Sequence, residues 1–209
     1  MRKFIPELED AQEIKYIFEP ELLEEDAPLE SVDSFGVYKL NVLTDKGIIS
    51  LVVKPISKIE ARYFLAASVI GVSPSPAVFI ENELEDRNGY SEEYLIYRFF
   101  EGMKLSKICA QENAFKVIKD NLWIVEELGV KLASLKKAGI EYKDFVYYNT
   151  IVNLETRNLV IIDYGDRNCI DPFIQMRYWW LPSVFSTEPQ LLKEVITLFE
   201  EAYQRGLDN

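Results

Sequence analysis

Three oxygen-bearing side chains frame one stretch of the chain, IEYKDFVYYNTIVNLETRNLVIIDYGD. Asp144 precedes Asn149 by five residues, and Asp163 follows a predicted hairpin with strands near 150–153 and 159–162 around LETRN. A hairpin returns its two outer ends to one place, so Asn149, just before the first strand, and Asp163, just after the second, are expected to be neighbours. Two carboxylates and an amide oxygen at one loop end, with Gly165 relaxing the backbone beside them, make a hard oxygen site suited to Mg²⁺. The chain contains no histidine. Ser-His-Asp triads, Cys-His pairs, imidazole bases and His-ligated zinc are thereby excluded, and any chemistry falls to carboxylates, lysines, hydroxyls or a bound metal.

The elements that must position these groups are written in the hydrophobic pattern. FGVYKLNVLTDKGIISLVVK gives two β-rich runs, 36–43 and 48–54, around the turn signal Thr44-Asp45-Lys46-Gly47. Glu13–Phe18 adds a possible strand, and the acidic segment 19–30 reads as a solvated loop or short helix. Residues 57–70 fit a helix opening at Ser57, with Ile59, Tyr63 or Phe64, Ala67 and Ile70 on one face and Gly71 at its end. A strand at 77–80, an acidic turn over 81–91 containing Asn88-Gly89, and a strand at 94–100 complete an antiparallel sheet. After Glu101-Gly102 the pattern turns helical. Ile118, Leu122, Val125, Leu128, Leu132 and Leu135 predict one long amphipathic helix over 113–138, closed by Gly139, and a last helix covers 190–205.

The 209 residues suit about one domain, or one core split into two lobes. Hydrophobic residues at 48% and charged residues at 28% predict a folded chain. A net charge of −12 repels a phosphate backbone and excludes a nucleic-acid-coating role. Cys109 and Cys169 form no CxxC pair, which fits a reducing cytoplasm. No segment reaches 18 apolar residues, and the N-terminus lacks a signal-peptide core, so the chain reads as soluble, without a membrane partner.

In order and spacing, Asp144, Asn149 and Asp163-Tyr164-Gly165 resemble the protein-kinase-like superfamily, including its aminoglycoside-phosphotransferase and RIO-type branches. That family's catalytic loop has an Asp, four residues, then an Asn, followed after a hairpin by Asp-Phe-Gly. Lys54, closing LVVK, is similar to the family's third-strand lysine, and Glu60 in IEARYFLAASVIGVSPSPAVF resembles the helix glutamate that holds that lysine. YLIYRFFEGMKLSKI resembles the strand, interlobe linker and Gly-x-x-Leu helix entry of small-molecule kinases. The resemblance covers roughly residues 34–165. It implies ATP and Mg²⁺ as cofactors, with the adenine meeting the carbonyl of Arg98 and the amide of Phe100 and the phosphates positioned by Lys54. Asp144 would orient the acceptor hydroxyl and take its proton, and Asn149 and Asp163 would hold metal.

The chain also departs from that pattern. Of the Gly-rich loop only Gly36 remains, in DSFGVY; Tyr142 and Lys143 stand where His-Arg is usual, and no Ala-Pro-Glu follows Asp163. The expected fold is α+β and two-lobed, protein-kinase-like, with a sheet-plus-helix lobe over 1–100 and a shortened helical lobe over 101–209. The aromatic run Phe173, Tyr178, Trp179, Trp180, with Leu181 and Pro182, is expected to fill the core of that second lobe rather than to form a partner face. The expected function is ATP-Mg²⁺-dependent phosphoryl transfer to a hydroxyl acceptor, protein or small molecule. The alternative is a pseudokinase that docks a protein partner.

Overall fold

The structure, a computed structural model, describes residues 14–17, 21–24, 37–85, 91–140, 142, 144–164 and 170–209. Expectations that rest on Gly36, Asn88-Gly89, Lys143, Gly165 and Cys169 lie outside the described residues. The chain divides into two compact units, Met1–Ser68 with Pro74–Phe99, and Val69–Ser73 with Phe100–Asn209.

The first unit is built on an antiparallel sheet. Alternating apolar and polar residues make the hairpin β3 (Val37–Thr44) and β4 (Gly47–Pro55), paired from Tyr38 opposite Val53 to Thr44 opposite Gly47. The Thr44 hydroxyl closes the turn, donating to the Gly47 carbonyl at 3.0 Å and accepting the Lys46 N–H at 3.1 Å. β1 (Ile14–Ile17) and β2 (Glu21–Glu24) both pair with β3; β5 (Ala77–Glu85) pairs with β6 (Ser91–Arg98), and β6 with β4. β2 corrects the loop or short helix expected of the acidic segment, because the edge of β3 supplies hydrogen bonds that outweigh local preference. β5 likewise runs on to Glu85, into the stretch expected to be a turn. Val42, Ile49, Leu51 and Val78 form the core under the sheet, with Leu40 and Ile96 against it.

Among the described residues one helix, α1 (Lys58–Val69), accompanies the sheet. It buries Ala61, Phe64, Ala67 and Ser68, whereas Ile59 and Ile70, expected inside, are exposed. Phe64 packs on Tyr97 with ring centroids 4.7 Å apart, and that contact sets the rotation of the helix. Five residues at 3.6 per turn put Ile59 about 140° around the axis from Phe64.

The second unit holds β7 (Met103–Lys104), α2 (Leu105–Cys109), α3 (Ala114–Asp120), α4 (Trp123–Lys137) and the hairpin β8 (Thr150–Asn153) and β9 (Asn158–Ile161). After these come α5 (Pro172–Gln175), a π-helical turn Met176–Trp180, α6 (Leu181–Val184) and α7 (Pro189–Asp208). The single helix expected over 113–138 is two. Asn121 leaves helical geometry (φ −130, ψ 49), and its side-chain amide donates to the Val117 carbonyl at 2.9 Å. A side chain that hydrogen-bonds its own backbone competes with helix continuation, and here it wins.

α4 and α7 form the centre of this unit. α7 buries Val195, Phe199, Ala202, Tyr203 and Gly206, a helical period, against the buried face Val125, Leu128, Leu132 and Leu135. The two axes approach through glycine. A Cβ on Gly129 would sit 2.9 Å from the Ala202 Cβ, and one on Gly206 would sit 2.7 Å from the Ala133 Cβ. The aromatic run is only partly core: Trp180 and Leu181 are buried, but Tyr178 and Trp179 are 56% and 48% exposed. The wide π-helical turn is the cause, since it sends Met176 and Trp180 inward and the residues between them out.

Candidate active site

In the first unit, Lys54 lies near the end of β4 opposite Leu95 of β6, and its Nζ meets Glu60 Oε1 at 2.8 Å. The side chains are 17% and 15% exposed, so the pair is largely shielded from water. Ser57 starts α1, its hydroxyl accepting the Glu60 N–H at 3.3 Å and its carbonyl the Ala61 N–H at 2.9 Å. The Ser-x-x-Glu spacing of a helix start therefore also delivers the glutamate to the lysine. Arg98 ends β6, its N–H donating to the Pro76 carbonyl at 3.1 Å, and Phe99 N–H donates to Ser50 at 2.9 Å. Phe100 begins the long segment of the second unit.

In the second unit, the loop from Asp144 to Asn149 is a tight turn. Tyr148 N–H donates to Phe145 and Asn149 N–H to Val146, each at 3.2 Å, and the Thr150 hydroxyl reaches the Val146 carbonyl at 2.7 Å. Asp144 and Asn149 are both 7% exposed, and Asp144 Oδ1 accepts the N–H of Phe145 at 2.6 Å. The hairpin places Thr150 opposite Ile161 and extends one bond further, from Ile162 N–H to the Asn149 carbonyl at 2.8 Å. Asp163 is thus the next residue after the partner of Asn149. Its φ of 62° lies in the left-handed region, which aspartate tolerates better than most side chains.

The Tyr142 hydroxyl lies within electrostatic reach of Asn149, Asp144 and Asp163. It is fully buried with no hydrogen-bond partner among the described residues, although the Asn149 amide approaches it. Burial pushes this phenol well above its ordinary pKa; Asn149 draws it back, and the charges near it, Tyr164, Asp144 and Asp163, raise it further. One hydroxyl thus senses the amide and both carboxylates. Tyr142 also packs edge-on against Tyr164, at 5.3 Å between centroids. Tyr164 is raised too, by burial first, against a hydrogen bond with Ser73 at 2.6 Å.

Sequence reasoning missed two supports of this loop. Gln175, 4% exposed on α5, donates to the Asp144 carbonyl at 3.2 Å and to the Ile170 carbonyl at 2.5 Å, and accepts the Val146 N–H at 3.4 Å. Its one sequence signal is a lone amide between Ile174 and Met176 in an apolar run. Ser73 donates to the Ile161 carbonyl at 2.7 Å, and Val72 accepts the Ile161 N–H at 3.0 Å, so Val69–Ser73 borders β9.

Among the described residues no three Asp, Glu or Cys side chains gather as an all-protein metal cage. Two carboxylates and an amide do suit Mg²⁺, which takes one or two carboxylates and completes its shell with water and phosphate oxygens. The unpaired Tyr142 hydroxyl beside them leaves a donor for such a water or oxygen.

The fold is protein-kinase-like. A solved structure of WaaP in complex with acyl carrier protein is similar to this chain at 16% identity and a TM-score of 0.54, over 87% of this chain and 78% of that one. At that identity the likeness speaks for fold alone. No family model matches the sequence, and no curated protein matches it. No described helix is long and apolar enough to cross a membrane.

Proposed function

We propose that the chain transfers a phosphoryl group from ATP to a hydroxyl acceptor with the help of Mg²⁺. What supports this reading is the backbone of the hairpin, in which Ile162 N–H bonds to the Asn149 carbonyl, so that Asn149 and Asp163 flank the same hairpin end and Asp144 opens the tight turn before it. ATP supplies the phosphoryl group, and Mg²⁺ neutralises charge on its oxygens. Asp144 orients the acceptor hydroxyl and takes its proton, held in place by the N–H of Phe145 and, through its backbone, by Gln175. Asn149 and Asp163 hold the ion. Lys54 holds phosphate oxygens and is itself steadied by Glu60. Arg98 and Phe100 offer a carbonyl and an N–H to the adenine. Catalysis of this kind is alignment and charge neutralisation, and a chain without histidine can perform it.

A second reading, a kinase-like module that docks a protein without turnover, is favoured by one feature: segment 33–38 carries a single glycine, leaving few unhindered amides for phosphates. One experiment separates the two. ATP binding is measured by calorimetry with Mg²⁺ and with EDTA, alongside ADP release. The kinase reading expects Mg²⁺-dependent binding; Asp144→Asn keeps it but lowers turnover by at least roughly 10²-fold, whereas Asp163→Asn weakens it. Equal binding in EDTA with no ADP release from the unmodified protein establishes the second reading instead.

A further inference from the structure

Asp163 is bracketed by one serine. β9 ends at Ile161, and Asp163 follows two residues later with a φ of 62°, in the left-handed region that disfavours a residue with a Cβ. Such a conformation persists where its surroundings over-determine it. The surroundings here include Val69–Ser73, five residues that belong to the second unit. The Ser73 hydroxyl donates to the Ile161 carbonyl at 2.7 Å and stands 2.6 Å from the Tyr164 hydroxyl. A carbonyl can only accept, so Ser73 gives its single proton to Ile161, and Tyr164 donates to the Ser73 oxygen. One atom, Ser73 Oγ, thus fixes the residue two before Asp163 and the residue just after it.

This latch is shielded and anchored. Ser73 and Tyr164 are 3% and 2% exposed, so water does not compete for the bonds between them. Val72 accepts the Ile161 N–H at 3.0 Å, and the Gly71 carbonyl accepts from Lys131 Nζ of α4 at 2.7 Å. Lys131 is itself buried and pairs with Glu127 at 3.3 Å. The serine therefore does not drift with the turn it holds, because its own segment is tied to α4 as well as to β9. On its other side the Tyr164 ring packs edge-on against Tyr142. Where the family that this chain resembles has phenylalanine after its metal-holding aspartate, this chain has tyrosine. The added oxygen is the one that Ser73 takes.

We infer that the Ser73–Tyr164 hydrogen bond is a positioning device for Asp163, holding its left-handed turn in place before an ion arrives. This rests on the kinase reading for the role of Asp163. Neither hydroxyl is assigned to the ion or to phosphate; both act through the backbone over 161–164. A carboxylate on a loose turn has to be ordered when the cation binds, and that ordering is subtracted from affinity. A turn fixed beforehand loses less. Breaking the latch therefore weakens metal binding and leaves the metal-free affinity for nucleotide as it was.

The test compares the full chain with Tyr164→Phe, which removes one oxygen and leaves Ser73 its bond to Ile161. Local order is read in the unliganded protein by hydrogen exchange of the Ile162 amide, which donates to the Asn149 carbonyl just before Asp163. The Leu132 amide, in the middle of α4, reports opening of the whole unit. Tyr164→Phe is expected to speed exchange at Ile162 by about fivefold, the scale of one neutral hydrogen bond, with Leu132 unchanged. Mn²⁺ binding is followed by electron paramagnetic resonance in the presence of AMP-PNP, a non-hydrolysable ATP analogue. It is expected to weaken by about fivefold, whereas AMP-PNP affinity in EDTA stays the same. Ser73→Ala, the second variant, removes both bonds and is expected to give at least the same loss at Ile162 and of Mn²⁺ affinity. A merely structural bond would lower the urea midpoint without moving the metal. Unchanged Mn²⁺ affinity in both variants, or exchange at Ile162 that stays constant or is matched by Leu132, overturns the inference. If Ile162 responds as expected but the unmodified protein holds no Mn²⁺ with AMP-PNP, the latch stands and the kinase reading is what fails.

Discussion

Replacing Tyr142 by phenylalanine removes a buried hydroxyl that no described residue satisfies. An unpaired buried hydroxyl costs roughly 1–3 kcal/mol, so Tyr142→Phe is expected to stabilise the unliganded protein by about 1 kcal/mol in urea denaturation. A loss of stability would mean that the nearby Asn149 amide does pair with it. The same phenol predicts an alkaline limit. Tyr142 and Tyr164 are both raised above the ordinary value near 10, chiefly by burial, so below that pH folded and unfolded chains both keep these protons. Above it the unfolded chain releases protons that the folded one retains. Stability therefore falls with rising pH, by up to about 1.4 kcal/mol per pH unit for each tyrosine. Tyr142→Phe should flatten that decline between about pH 10 and 11; parallel slopes in the two proteins would contradict a buried, neutral Tyr142. Asp144, Asn149 and Asp163 stood out in the sequence because their spacing brackets a hairpin whose period-two strands and turn residues are local. Gln175 did not, because its partners lie about thirty residues away and no local pattern records them.

The packing of α4 on α7 carries the next test. Alanine at position 129 would gain about 1 kcal/mol of helix propensity over glycine, yet its Cβ would meet the Ala202 Cβ and the Phe199 carbonyl at 2.9 Å. Two backbones pressed together have little room to yield, and overpacking costs typically about 1–3 kcal/mol. Gly129→Ala is thus expected to destabilise by about 1 kcal/mol or more, read as a lower urea midpoint; a higher midpoint would mean that propensity decides. The apolar periodicity of α4 and α7 was legible, since 3.6-residue spacing needs no knowledge of the partner. The interruption at Asn121 was not, because the leucine register continues through it. Neither was the π-helical turn at 176–180, nor the rotation of α1. Each is set by what an element packs against, as Phe64 is by Tyr97.

Between the two units the chain passes at Ser68–Val69, Ser73–Pro74 and Phe99–Phe100. The five residues Val69–Ser73 are encoded inside the N-terminal half but complete the second unit, where Val72 takes the Ile161 N–H and Ser73 takes the Tyr164 hydroxyl. A reading by composition sees one change of character near residue 100 and passes over so short a segment. A fragment of residues 100–209 would lose these bonds, at roughly 1–3 kcal/mol for a buried group such as the Ile161 N–H left without its acceptor. It is expected to unfold at lower urea than the full chain and to regain protection of the Ile161 amide in hydrogen exchange when a peptide of residues 69–76 is added; exchange indifferent to the peptide would contradict this. The two halves are interleaved in the gene, so recombination at a single crossover near codon 100 would strand part of one fold in the reading frame of the other. Exchanging such a half with a relative would take two further junctions flanking those five codons.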